Sequence, residues 1–175
     1  MVKFTSREVG MAAAFGGAAF AFRVLGLGLP GYPPGAFMDL GSMMVDLAGM
    51  AGGPIVGLIA GLGRGMASGL PMNDIFLCPF MGVLWAFVYK YVVLAVKNPS
   101  RRWFVLVPLV MLLRFAQETE FTYFLSLIQI APFIPGWIGS IPTVIIYMIA
   151  EAIVVVGAIR AVPAVFGWKE GKASW

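Results

Sequence analysis

The chain contains no histidine and a single cysteine, Cys78. A lone cysteine excludes a disulfide within the chain and any cluster of several thiolate ligands. The absence of histidine removes the commonest general base and the commonest metal ligand in proteins. Most catalytic and metal-binding chemistry is thereby disfavoured, and we predict no catalytic residue, no metal site and no cofactor.

Charge is also scarce. Only 11% of the 175 residues are charged, whereas 61% are hydrophobic, which leaves too little polar surface to cover a soluble globule. The net charge of +4 does not come from a basic run, because the basic residues flank apolar segments. This arrangement favours contact with anionic lipid headgroups over nucleic acid. The composition predicts an integral membrane protein.

The basic residues alternate along the chain with turns that have none. The turns near residues 29–38, 70–75 and 131–136 contain no lysine or arginine. The basic residues at the other turns and ends are Lys3, Arg7, Lys90, Lys97, Arg101, Arg102, Arg160, Lys169 and Lys172. Under the positive-inside rule this alternation predicts an even number of spans with both termini cytoplasmic. Roughly 20 residues per span leave room for about six helices, so we predict an all-α bundle of six transmembrane helices forming one domain, residues 1–175.

Turn formers and a cap divide this bundle into segments. Thr5-Ser6-Arg7-Glu8 has the form of a capping box before the first apolar run, and Gly52-Gly53-Pro54 predicts a break between two short helices. The Pro/Gly-rich residues 29–38 predict an outer loop that acts as a lid. The predicted helices cover about residues 6–28, 39–51, 54–69, 75–96, 103–130 and 137–162.

Two predicted helices contain strips of small residues at four-residue spacing. Gly10, Ala14 and Ala18 recur every four positions in the first helix, and Gly57 and Gly61 do so in the third. In lipid, such strips let helix backbones approach closely. Each strip is open to two interpretations, packing inside the bundle or docking of a partner.

In these features the chain resembles the substrate-binding S components of energy-coupling factor (ECF) transporters. The resemblance rests on the basic N-terminus with its capping box, the Ala/Gly-rich first helix, the Pro/Gly outer loop, Asp39-Leu40-Gly41 and Gly53-Pro54-x-x-Gly57-x-x-x-Gly61. It implies a multi-pass protein of a prokaryotic cell membrane. It also implies docking through Gly10, Ala14 and Ala18 on a transmembrane coupling subunit, which works with two ATPase subunits.

Ionisable and polar residues within apolar spans are costly and mark candidate sites. We expect these residues to line an outward-facing pocket, and the resemblance to S components implies that its ligand is a water-soluble vitamin or related micronutrient. Some of the polar residues have a structural alternative to ligand binding. Asp39 is a candidate helix cap or ion-pair member, Trp137 a candidate interfacial residue, and Arg114 a candidate partner of Glu118. The candidate ligand residues are Arg23, Tyr32, Asp39, Arg64, Asn73, Asp74, Glu120, Tyr123 and Trp137.

The resemblance favours a high-affinity binding subunit and not an enzyme. The chain has no Gly-x-x-x-x-Gly-Lys-Ser/Thr phosphate loop, so ATP hydrolysis is expected on partner subunits. Two alternatives stay open. One is an intramembrane enzyme acting on a lipid or isoprenoid, with Asp39, Asp46 and Glu118 as acid–base or metal residues; the other is a stand-alone small-solute carrier.

Overall fold

The computed structural model describes residues 5–30, 37–68, 71–173 and 175. Five α-helices and one short pair of antiparallel strands make up these residues, and a π-helical turn, Tyr89–Val93, extends the third helix. In chain order the elements are α1 (Ser6–Val24), β1 (Gly28–Pro30), β2 (Phe37–Asp39), α2 (Leu40–Met66), α3 (Pro71–Val88), α4 (Pro99–Leu127) and α5 (Phe133–Ala161).

Helix α1 begins at the predicted capping box. The Glu8 carboxylate accepts from the Thr5 backbone N–H at 2.7 Å, and the Glu8 N–H donates to the Thr5 hydroxyl at 3.2 Å. The helix ends at Val24, earlier than the predicted residue 28, because Gly26 adopts φ +64° and the chain then enters β1. Gly28 of β1 lies opposite Asp39 of β2. The predicted lid is therefore flanked by paired strands and is not wholly irregular; its middle, residues 31–36, lies outside the described residues.

Helix α2 is folded back on itself at Gly53. This residue has φ 86° and ψ −175°, which breaks the helix into α2a (residues 40–52) and α2b (residues 54–66). An Arg64 nitrogen lies 2.6 Å from the Asp39 carboxylate, whereas a straight helix would separate these positions by about 37 Å. The two halves must therefore run antiparallel. The predicted break at Gly52-Gly53-Pro54 is confirmed.

Glycines let this hairpin pack tightly on α3. A Cβ on Gly49 or Gly57 would clash with the Gly82 carbonyl, and one on Gly61 would clash with the Pro79 backbone. The third-helix strip thus serves internal packing, the first of its two predicted interpretations. Close backbone approach of this kind is the usual basis of helix association in lipid.

Three helices are long and apolar enough to cross a membrane: Leu40–Met66, Asn73–Val93 and Phe133–Ala161. The other two helices in the described part of the chain do not meet this criterion, since α1 and α4 both carry several charges. The prediction of six spans with cytoplasmic termini is therefore not supported by helix length and composition. Each half of the α2 hairpin rises only about 20 Å, so that this element does not cross the membrane as a single straight rod.

The helices define two ends of the molecule. At the strand end lie β1, β2, the end of α1 and the ends of the α2 hairpin. At the opposite Gly53 end, Arg7 donates to the Val165 carbonyl at 3.2 Å, and the Trp175 indole donates to the Met50 carbonyl at 3.3 Å. Residues after α5 thus fold back over the α2 turn. The largest apolar cluster includes Trp85, Tyr89, Leu106, Ile159, Phe166 and Trp168.

Candidate functional site

Four predicted ligand residues form one ion network at the strand end, here called the Asp39 cluster: Arg23, Asp39, Arg64 and Asp74. Asp39 lies 3.5 Å from Arg23 and 2.6 Å from Arg64, and Arg64 lies 2.5 Å from Asp74. Asp39 also caps α2 by accepting from the Ser42 N–H at 3.2 Å. All these charges lie in contact with a partner of opposite sign.

This geometry confirms the two structural roles considered for Asp39, a cap and an ion pair. Removing one member of a buried ion pair costs about 3–5 kcal/mol, because the other charge is left uncompensated. The Asp39 cluster therefore fixes the ends of α1, α2 and α3 relative to one another. Direct contact of these four residues with a ligand stays a prediction.

A second network, the Arg114 cluster, lies deeper in the helices. The Arg114 guanidinium contacts the Asp46 carboxylate at 2.7 Å and also donates to Glu151 and Gln117. The predicted partner Glu118 is present but more distant, at 3.9 Å. One arginine thus joins α2, α4 and α5, and its closest carboxylates come from other helices and not from its own.

Tyr147 connects the two clusters. Its hydroxyl donates to the Asp39 backbone carbonyl and lies 3.2 Å from the Ser42 hydroxyl. Its ring centroid lies 4.9 Å from the Arg114 guanidinium carbon, within the range of a cation–π interaction. Sequence reasoning assigned Tyr147 no such role, since its hydrogen-bonding partners Asp39 and Ser42 lie more than one hundred residues away in the chain.

The two separate clusters bear on the alternative of an intramembrane enzyme, in which Asp39 and Asp46 are acid–base or metal residues. Asp39 and Asp46 share a helical face, yet Asp39 binds Arg64 and Asp46 binds Arg114. Within the described ranges, no three side chains of the metal-ligating types converge. The two aspartates therefore contact different arginines and do not meet as a pair.

A groove lies between α3 and α4, beside the Asp39 cluster. This α3–α4 groove has a volume of about 430 Å³ and is lined by Asn73, Phe76, Leu77, Phe80 and Glu120. The side chains of Asn73 and Glu120 interact with one another, yet neither Asn73 Nδ2 nor Glu120 Oε2, both buried, makes a hydrogen bond of good distance and angle. An unsatisfied buried polar atom costs about 1–3 kcal/mol. The groove thus contains a donor and an acceptor that lack good partners.

The predicted aromatic residues are not gathered around this groove. The Trp137 indole donates to the Thr119 hydroxyl at 3.1 Å, and its ring packs edge-on against Phe115. Tyr123 is exposed and packs edge-on against Phe133. Tyr32 lies outside the described residues. The groove aromatics are instead Phe76 and Phe80, which sequence reasoning missed; their four-residue spacing in an apolar helix was the available signal.

The small residues of α1 divide into two faces. Ala12, Gly16 and Ala19 are buried, and a Cβ on Gly16 would lie 3.6 Å from the Ala60 Cα. Gly10 and Ala14 are exposed and Ala18 is half-buried; a Cβ on Gly10 would meet no atom within 4 Å. The predicted docking strip is therefore not the face that packs on α2.

These observations define a helical protein with three candidate membrane-spanning helices, compatible with a multi-pass membrane protein. No protein-family model, no curated protein and no solved structure matches the chain.

Proposed function

We propose that the chain is the substrate-binding subunit of an ECF-type importer, which captures a water-soluble vitamin or related micronutrient from the outer side of a prokaryotic cell membrane. The observation that carries the proposal is the α3–α4 groove, where the buried atoms Asn73 Nδ2 and Glu120 Oε2 make no hydrogen bond of good geometry. Ligand sites combine apolar walls with a few such polar groups. A ligand that supplies both partners removes the cost of leaving them unpaired.

The open face of α1 supports the second half of the proposal. Gly10, Ala14 and Ala18 form a strip of small residues that α2 does not cover. Without the hydrophobic effect, helices in lipid associate through close packing at such residues. A transmembrane coupling subunit that carries two ATPase subunits is the proposed occupant of this strip.

The positions of the charges support the proposed topology of six crossings with cytoplasmic termini, in which α2a and α2b count separately. Arg7, Lys90 and Arg102 contact residues of the chain's last segment at the Gly53 end. The arginines of the Asp39 cluster at the strand end are paired with carboxylates. Basic residues gathered at the Gly53 end, such as Arg7, Lys90 and Arg102, favour a cytoplasmic location for that end under the positive-inside rule.

The proposal is tested by purifying the protein in mild detergent and identifying the small molecules released on denaturation by mass spectrometry. We expect a vitamin or vitamin precursor in stoichiometric amount. A released phospholipid or isoprenoid alone would instead support the enzyme alternative. Substrate uptake by liposomes that contain only this chain would support the stand-alone carrier, because a binding subunit needs its energising partners.

A further inference from the structure

The carboxylate of Glu120 differs from the buried acids Asp39 and Asp74 at the strand end. Asp39 and Asp74 both lie within ion-pair distance of Arg64. In the part of the chain that the structure describes, no lysine or arginine nitrogen lies within 4.0 Å of Glu120. The α3–α4 groove is therefore lined by one carboxylate without a cation in contact. An ionised carboxylate in an apolar setting is stabilised by an opposite charge.

The α3 side of the groove adds a polar donor and two aromatic rings. Asn73, Phe76 and Phe80 fall on one face of the helix, since they are separated by three and four residues. The Asn73 side chain is buried, with the residue 7% exposed, whereas Phe76 is 76% exposed and Phe80 60% exposed. Phenylalanine faces attract cations as well as planar apolar groups.

We propose that the α3–α4 groove binds a planar organic cation that carries an amide-like donor and acceptor. The ligand N–H donates to Glu120 Oε2, its carbonyl or ring nitrogen accepts from Asn73 Nδ2, and its ring packs on Phe76 and Phe80. The positive charge of the ligand offsets the Glu120 carboxylate. The identification of this ligand as transported cargo rests on the proposed function; the charge preference of the groove does not.

The preference can be measured with three probes that share one ring and differ in charge: 1-methylnicotinamide (cation), nicotinamide (neutral) and nicotinate (anion). Affinities for the full-length protein in detergent micelles are obtained by saturation-transfer NMR. We expect 1-methylnicotinamide to bind at least about tenfold more tightly than the other two, since only the cation gains the charge interaction. Equal affinities, tighter binding of nicotinate or no binding of the cation would overturn the proposal.

Three variants test which residues produce the preference for the cation. Glu120→Gln keeps the side-chain shape and removes the charge, so it should abolish the preference for the cation. Glu170→Gln makes the same charge change at an exposed residue outside the groove and should leave the preference intact. Phe80→Leu, at an exposed position, should weaken the binding of all three probes. It tests the groove independently if Glu120→Gln does not fold. An unchanged preference in Glu120→Gln, or unchanged binding in Phe80→Leu, would contradict the assigned contacts.

These experiments distinguish failure of the cation proposal from failure of the proposed function. If a neutral or anionic vitamin co-purifies and its binding is unaffected by Glu120→Gln, the cation proposal fails while the proposed function stands. If the cation binds through Glu120 but no micronutrient co-purifies and no coupling subunit associates, the groove assignment stands and the proposed function fails. A groove that holds only ordered water would bind none of the three probes.

Discussion

The Asp39 carboxylate lies 2.6 Å from the Arg64 guanidinium, although Asp39 caps the start of the 27-residue helical element α2 and Arg64 lies in its last turn. The contact exists because Gly53 turns the chain back on itself. Arg64 also contacts Asp74, just after α3 begins. One side chain therefore closes the hairpin and attaches its open end to the next helix.

Arg64→Gln should destabilise the fold strongly. The substitution leaves two buried carboxylates, Asp39 and Asp74, without their shared cation, and such losses cost about 3–5 kcal/mol. Thermal unfolding in detergent, followed by circular dichroism, measures the effect. Arg101→Gln is the matched control, since Arg101 is exposed and its loss should change stability by less than about 0.5 kcal/mol. Similar midpoints for the two variants would show that the Asp39 cluster contributes little to stability.

Gly53→Ala should also destabilise the protein, through the backbone. At φ 86° and ψ −175° an L-residue is strained, at a cost of about 1–3 kcal/mol. The added Cβ would also lie 2.6 Å from the Trp175 ring, which covers the turn. Gly157→Ala is the control. Its Cβ would meet nothing within 4 Å in α5, and alanine should favour that helix by up to about 1 kcal/mol. The prediction is wrong if both variants unfold at the same temperature.

Tyr147→Phe should weaken the connection between the two charged clusters while leaving the ring in place. The variant removes the hydroxyl that donates to the Asp39 carbonyl and lies beside the Ser42 hydroxyl. Loss of a buried hydrogen bond costs about 1–3 kcal/mol when a partner is left unsatisfied. Tyr91→Phe at an exposed site is the control in the same unfolding assay. An equal response of the two variants would mean that the buried hydroxyl adds nothing.

Local chemistry made parts of this fold predictable. The capping box at Thr5 and Glu8 and the break at Gly53 depend on side chains within a few residues of one another, so the sequence was sufficient to place them. Asp39 was likewise expected to cap a helix or to pair, and it does both.

Contacts between distant segments were not predictable in the same way. The i,i+4 rule favoured Glu118 as the partner of Arg114, but Asp46 and Glu151 approach more closely, from 68 and 37 residues away. The surroundings of Trp137 were not predictable for a similar reason, because its indole donates to Thr119 and its ring packs against Phe115 across the α4–α5 pair. Which helix faces meet is decided by packing of the whole bundle.

The two faces of α1 give a prediction that separates folding from assembly. Ala14→Leu adds bulk on the exposed face, so it should block docking of the coupling subunit and leave thermal stability and ligand binding unchanged. Gly16→Leu adds bulk on the buried face, where an added Cβ would lie 3.6 Å from the Ala60 Cα. It should destabilise the protein, since overpacking typically costs about 1–3 kcal/mol. Co-purification with a tagged coupling subunit and thermal unfolding measure the two effects.

Ala116→Leu, on an exposed position of α4, controls for added bulk and should affect neither assembly nor stability. If Ala14→Leu assembles normally, the docking strip is misassigned; if it loses ligand binding together with assembly, the exposed face serves the fold and not a partner.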